Sequence, residues 1–198
     1  MARTLRRRHR YEAELIKGSR FVATLAPASS EDEAKVLLDQ LRDEWPDASH
    51  HCWAWRLASP AIDRAGDDGE PSGSAGRPIL ASLTGREVVD VAIIVTRWFG
   101  GTKLGVGGLV RAYGGTAAQA LDDADLVEWA AKTTIEFEHE HAETGAVERA
   151  LATVGATEAE TSWGAVVARQ VVIPLAEVDA LWTALGDATS GRLKPPEE

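Results

Sequence analysis

The longest unbroken run of apolar positions between turn signals is Val91-Ala92-Ile93-Ile94-Val95, which lies between Asp90 and Thr96. No polar residue marks a solvent-facing side, and a short run of this kind predicts a strand covered on both faces. Arg97-Trp98-Phe99 continues it into a glycine-rich turn with Gly100, Gly101, Gly105, Gly107 and Gly108. A helical pattern follows through Leu109, Val110, Tyr113, Ala117, Ala120 and Leu121, interrupted by Gly114 and Gly115. Two adjacent helical glycines cost roughly 1 kcal/mol each relative to alanine, so close backbone packing or a bend is expected there.

Upstream, Glu14 to Leu25 is strand-like, with Gly18 as a bulge or bend and Pro27 as its end. Ser29 or Ser30 caps a helix with an acidic first turn (Glu31, Asp32, Glu33) and an apolar face of Ala34, Leu37, Leu38 and Leu41. His50 to Leu57 alternates as a strand. One side carries His50, Cys52, Ala54 and Arg56, and the other His51, Trp53, Trp55 and Leu57. Asp63 to Pro78 has no hydrophobic periodicity and reads as a long loop, the kind that often carries function. Arg77-Pro78 starts a helix to about Leu83, which Thr84-Gly85 stops.

Beyond Asp122–Asp125 the pattern changes. Thr133 to His141 alternates as a strand, Thr144 to Val154 is helical, Trp163 to Leu175 is strand-like and Ala176 to Leu185 is a second helix. With a short last strand near Arg192 to Lys194 and a frayed tail from Pro195 to Glu198, this makes a small α+β sandwich. The divisions expected are a disordered basic arm over residues 1–12, a first domain over 13–125 and a second over 126–198.

Composition adds limits. The chain has 198 residues, of which 44% are hydrophobic, enough for a real core. No apolar run approaches the ~20 residues of a membrane span, and the basic N-terminus lacks the apolar stretch of a secretory signal, which points to the cytoplasm and to no membrane partner. The single cysteine, Cys52, excludes an internal disulfide framework and a cysteine-based zinc site. The net charge of −10 is uneven: residues 1–121 hold 16 Lys/Arg against 15 Asp/Glu, and residues 122–198 hold 5 against 16. Five arginines lie within Met1 to Arg10, so an RNA-facing arm is electrostatically allowed, as is a plain disordered tail.

The glycine turn suits an anion, because its backbone N–H groups and the following helix end are positive. It is not a Walker loop, since Lys103 is followed by Leu104, and it does not read as G-x-G-x-x-G; no cofactor is expected. Arg97, Lys103 and Arg111 suit RNA phosphates, with Trp98 and Phe99 for base stacking. The plainer alternative makes the aromatics core and the cations solvated. Asp67, Asp68 and Glu70 suit a divalent ion or acid–base work with Ser72 or Ser74 as nucleophile, and they equally suit a solvated turn or pairing with Arg97, Lys103 or Arg111. Cys52 and His50 share a strand face without a third orienting group, and His139 and His141 share one without a third metal ligand. Trp53 and Trp55 offer an alternative anchor for a protein partner.

Five blocks, SRFVATLAP, SHHCWAW, DDGEPSGSAG, RPIL and VTRWFGGTKLGVGGLVRAYGGTA, resemble those of the IMPACT/YigZ family, over roughly residues 14–121. Residues 133–198 follow the family's C-terminal domain in pattern. The resemblance implies an N-terminal domain similar to the ribosomal-protein S5 domain 2-like fold and a ferredoxin-like C-terminal domain, an arrangement like the last two domains of the translocase elongation factor G. Eukaryotic relatives carry an added RWD domain and act in translational control under amino-acid starvation through a partner protein. Here only about ten residues precede the resemblance, so that arm is expected to be absent. The family supplies no catalytic residues to carry over. Asp67, Asp68, Gly69, Glu70, Ser72, Gly73, Arg97, Gly100, Gly101, Lys103, Gly105 and Arg111 inherit the expectation of a shared surface. The resulting reading is a non-enzymatic translation-associated regulator that binds RNA or a ribosomal surface through its N-terminal domain, with a translation factor or regulatory protein as a further partner. The alternatives are a metal-assisted hydrolase using Asp67, Asp68 and Glu70, and a protein-binding regulator without RNA contact.

Overall fold

The computed structural model describes residues 1–196, arranged as a first compact unit, Met1–Trp129, and a second that begins at Ala130. In the first unit, strand β1 (Arg3–Leu5) pairs antiparallel with β7 (Leu126–Glu128). The main sheet is antiparallel and contains β2 (His9–Glu12), β3 (Arg20–Pro27), β4 (His50–Ala58), β5 (Ala61–Gly66) and β6 (Val91–Trp98), in the order β2-β3-β6-β4-β5. The uniformly apolar run is therefore the middle strand. Val91, Ile93 and Val95 enter one core with residues of α2 (Gly76–Gly85) and α3 (Val106–Asp123), while Ala92 and Ile94 enter another with Leu37, Leu38 and Leu41 of α1 (Glu31–Glu44). Helices cover both faces of the run from Val91 to Val95, which is why it shows no alternation.

Local chemistry explains the element ends. Ser30 caps α1 by accepting the Glu33 amide at 3.2 Å. α3 runs unbroken through its paired glycines. A methyl at Gly114 would lie 3.2 Å from Cβ of Pro78 on α2, and the Gly114 carbonyl accepts from Ser82 Oγ at 3.2 Å, so helix–helix contact compensates the flexible residue there. Gly18 makes a turn rather than a bulge: Lys17 and Gly18 have φ of 48° and 81°, and Ile16 and Ser19 exchange two 3.0 Å hydrogen bonds. That turn packs directly on the glycine-rich loop after β6. A Cβ on Gly100 would fall 1.9 Å from the Gly18 carbonyl carbon, so backbone meets backbone where no side chain fits.

Several expectations are corrected. The basic N-terminus is not a disordered arm: it forms β1 and β2, buries Leu5, and places Arg6 against Asp125 at 3.1 Å and Arg10 against Glu44 at 2.9 Å and over the Trp45 ring. The arginine count concealed the alternation of Leu5, His9 and Tyr11 with polar neighbours. Residues 61–66, partly assigned to the loop, form edge strand β5, whose largely exposed side chains leave no apolar signal.

In the second unit, β8 (Lys132–His139), α4 (Thr144–Thr153), β9 (Thr157–Trp163), β10 (Val167–Pro174) and α5 (Val178–Ala188) form an antiparallel sheet, ordered β8-β10-β9, with an apolar core shared with the two helices. The strand expected from Trp163 to Leu175 is β10, and it pairs through a hairpin turning at Gly164 with β9, an unexpected strand whose TEAETSW is too polar and exposed to show in the pattern. The short strand expected near Arg192 to Lys194 does not form among the described residues. Instead the Leu193 amide donates to Thr189 Oγ1 at 3.0 Å and its side chain packs on the core. The β-α-β-β-α order supplies the elements of a ferredoxin-like domain except the final strand. Glu197 and Glu198, the end of the tail expected to fray, lie outside the described residues. No helix among the described residues is long and apolar enough to cross a membrane.

Two glycine substitutions separate steric need from mere permissiveness. Gly100→Ala forces two backbones apart and is expected to lower stability by about 3 kcal/mol in urea unfolding. Gly115→Ala, where a methyl meets nothing within 4 Å, is expected to raise stability by roughly 0.5–1 kcal/mol in the same measurement.

Candidate functional site

The acidic loop and the glycine turn meet around a buried ion pair. α2 has no side-chain cap at Ala75, and the carboxylate of Asp67 fills that role by accepting from the amides of Gly73 (2.7 Å), Ala75 (3.0 Å) and Gly76 (2.8 Å). Burial pushes the Asp67 carboxyl up, but these three amides outweigh it and hold the group below the ordinary aspartate value. Asp68, at φ 42°, accepts the His51 amide at 2.6 Å and Arg42 at 3.0 Å. Glu70 turns inward. Its Oε1 accepts from Arg97 Nη1 at 2.6 Å and from the Tyr113 hydroxyl at 2.7 Å.

Arg97 stands on β6 at 4% exposure, with Nη2 donating to Ser19 Oγ at 3.2 Å. Ser19 Oγ also accepts the Gly100 amide at 3.2 Å, which ties the ion pair to the close contact between the two turns. His50 lies beside this cluster, its Nε2 3.8 Å from Glu70 and its Nδ1 2.8 Å from the Asp68 carbonyl. Burial raises the Tyr113 hydroxyl well above the usual tyrosine value, and raises the Cys52 thiol likewise, so Cys52 stays a protonated donor to the Asp67 carbonyl at 3.0 Å.

This geometry corrects three expectations. Arg97 points into the protein and is occupied by Glu70 and Ser19, so it is not a phosphate contact. The hydrolase arrangement is absent, because Asp67, Asp68 and Glu70 bind three different sets of protein donors and do not converge; among the described residues no group of three His, Cys, Asp or Glu is placed to hold a metal. The paired tryptophans are not an exposed anchor, since Trp55 is 3% exposed and Trp53 stacks on it at 4.0 Å within the core against α1. His139 and His141 also separate: His139 is buried beside Arg169 at 3.2 Å, and His141 contacts the Gly164 carbonyl at 2.9 Å.

The turn itself faces outward. Gly101, Lys103, Gly105 and Arg111 are exposed, as are Ser72 and Lys17. Gly101 and Gly105 have φ of 85° and 72°, and α3 starts after Gly105 without a side-chain cap. A methyl at Gly107 would lie 3.7 Å from Arg111 Nη1, which puts that guanidinium beside the first turn of α3. Lys17, Lys103 and Arg111 have no ion-pair partner within 4 Å among the described residues. The two adjacent aromatics differ. Trp98 donates to Asp47 at 3.0 Å and packs under Arg20 and Trp45, whereas Phe99 is 48% exposed. Sequence reasoning missed Ser19, His50 and Tyr113 as parts of this cluster; the available signal was a polar Tyr113 on the apolar stripe of α3.

Removing Glu70 leaves a buried guanidinium unpaired. Glu70→Ala is therefore expected to cost about 3–5 kcal/mol in urea unfolding, more than replacing Glu70 and Arg97 together by Gln and Met. For Asp67 the folded value lies below the unfolded one, so its stabilisation is present above about pH 4 and is lost as pH falls through the folded value. Asp67→Asn is expected to cost roughly 1–2 kcal/mol at neutral pH, a gap that narrows in melts below about pH 4.

Comparison with known proteins places this geometry. Residues 17–121 match the Impact N-terminal domain, and residues 137–192 match a domain of unknown function, DUF1949. The chain is 36% identical over 184 residues to the IMPACT family member YigZ of Escherichia coli, covering 91% of this chain and 90% of that one. It is 42% identical over 115 residues to the IMPACT family member YvyE of Bacillus subtilis, covering 58% and 53%. A solved structure described as a hypothetical protein is 33% identical and covers 100% of this chain and 98% of its own, with a TM-score of 0.73. With a family domain over more than half its length and a relative matched nearly end to end, the chain belongs to the IMPACT family.

Proposed function

We propose that this protein is a non-catalytic regulator associated with translation, whose first unit contacts RNA or a ribosomal surface through the turn between β6 and α3. The observation that carries the reading is the cationic rim of that turn. Lys17, Lys103 and Arg111 stand exposed around glycines whose backbone is accessible, and none has a carboxylate within ion-pair distance among the described residues. Cations with this freedom suit phosphate oxygens, and the uncapped end of α3 adds partial positive charge. The family resemblance supplies the link to translational control. Asp67, Asp68, Glu70 and Arg97 support the surface from beneath by fixing the loop and the strand that display it. Ser72, Gly100, Gly101 and Gly105 contribute its contour. The second unit, with 5 Lys/Arg against 12 Asp/Glu over residues 130–198, is ill suited to phosphate.

Co-sedimentation with ribosomes and binding to structured RNA at several salt concentrations test this. The wild type is expected to associate at low salt, and Lys103→Ala with Arg111→Ala to weaken association and reduce the salt slope by roughly 2. Absence of low-salt association, or a double variant indistinguishable from wild type, overturns the reading. Arg97→Ala is expected to act through stability, seen as a lowered urea midpoint.

A further inference from the structure

Building on that reading, we infer that the nucleic acid taken at this turn is single-stranded RNA, with one base stacked on Phe99. Phe99 follows Trp98, the last residue of β6, and opens the glycine turn, and its position is fixed on two sides. Its amide donates to Ser49 Oγ at 3.0 Å, and the Arg97 guanidinium lies over its ring, 5.4 Å from the centroid. That guanidinium is itself held by Glu70 and Ser19, so the ring rests on a rigid, buried cation. The ring nevertheless remains 48% exposed, while its neighbour Trp98 is engaged by Asp47, Arg20 and Trp45.

The surroundings select a flat, anionic partner. Gly100 and Gly101 follow the ring and carry no side chain to shield it, and Gly100 sits in backbone contact with the turn that carries Lys17. Lys103 and Arg111 follow in the same turn and on the first turns of α3. An exposed aromatic ring beside unpaired cations is the pairing that single-stranded nucleic acid uses, since each nucleotide offers a π-face and a phosphate. A base inside a duplex is stacked on its neighbours and cannot reach the ring. An apolar protein side chain would need a pocket to enter, and the two residues that follow the ring, Gly100 and Gly101, have no side chains to wall one.

Fluorescence anisotropy with a labelled single strand of about ten nucleotides, a duplex of the same length, and ribosome co-sedimentation distinguish the outcomes. The wild type is expected to bind the single strand at least about ten-fold more tightly than the duplex. Phe99→Leu, which keeps apolar bulk without a π-face, is expected to weaken single-strand binding roughly ten-fold while leaving duplex binding and the salt slope unchanged; Phe99→Trp is expected to retain single-strand affinity. Equal affinity for the two forms, or an unaltered Phe99→Leu variant whose urea midpoint matches wild type, overturns the inference. If Lys103→Ala with Arg111→Ala still weakens binding in that case, the reading under Proposed function stands. Loss of ribosome association by Phe99→Leu without any single-strand binding assigns the ring to a protein contact and also overturns it. No binding of any RNA or of ribosomes at low salt removes both.

Discussion

The buried pair of Arg97 and Glu70 is the interaction on which the first unit depends. A guanidinium in the middle strand of a covered sheet is tolerable only with a counter-charge beside it, because an unpaired charge there costs several kcal/mol. Glu70 and Ser19 accept from its two terminal nitrogens, Tyr113 adds a donor to Glu70, and the four residues come from the acidic loop, the turn before β3, β6 and α3. The pair thus joins four elements at one point. It also fixes the direction of the chain as β6 ends, and so the place where the glycine turn emerges.

The second unit solves the same problem in the same way. Arg169 occupies its central strand β10 at 4% exposure, and its guanidinium contacts Glu158 at 2.7 Å, Glu148 at 3.3 Å and His139 at 3.2 Å. In each unit a central-strand arginine gathers acceptors from several elements. The difference is what surrounds it. Around Arg97 the carboxylates are taken up internally, by helix amides, a strand amide and the arginine itself, and the cations are left outside. The second unit retains an excess of exposed carboxylates. The first unit therefore presents unpaired cations at its surface, although the net charge of the whole chain is negative.

Much of the scaffold was legible because its causes are local. The apolar run of β6 announced a strand covered on both faces, Ser30 and its acidic followers announced α1, and the two faces of β4 divide between the two cores as its alternation implies. Failures came where polar composition concealed pairing. The arginine-rich start and the glutamate-rich β9 are strands at sheet edges, where one face meets solvent and the ladder hydrogen bonds, not the side chains, specify the element.

By itself the sequence determined the α+β class, the two-part organisation, the family resemblance and the glycine turn at the end of the central strand. Each follows from periodicity, composition or motif spacing, properties that act between neighbouring residues. Only the tertiary structure decided how the charges at the site divide. Arg97, Lys103 and Arg111 are equivalent as cations in the chain, and Asp67, Asp68 and Glu70 equivalent as anions. The sheet turns Arg97 inward to Glu70, 27 positions away, and to Ser19, 78 positions away, and leaves Lys103 and Arg111 in solvent. Choice of an ionic partner depends on burial and direction across distant segments, and neither is encoded in the spacing of charges along the chain.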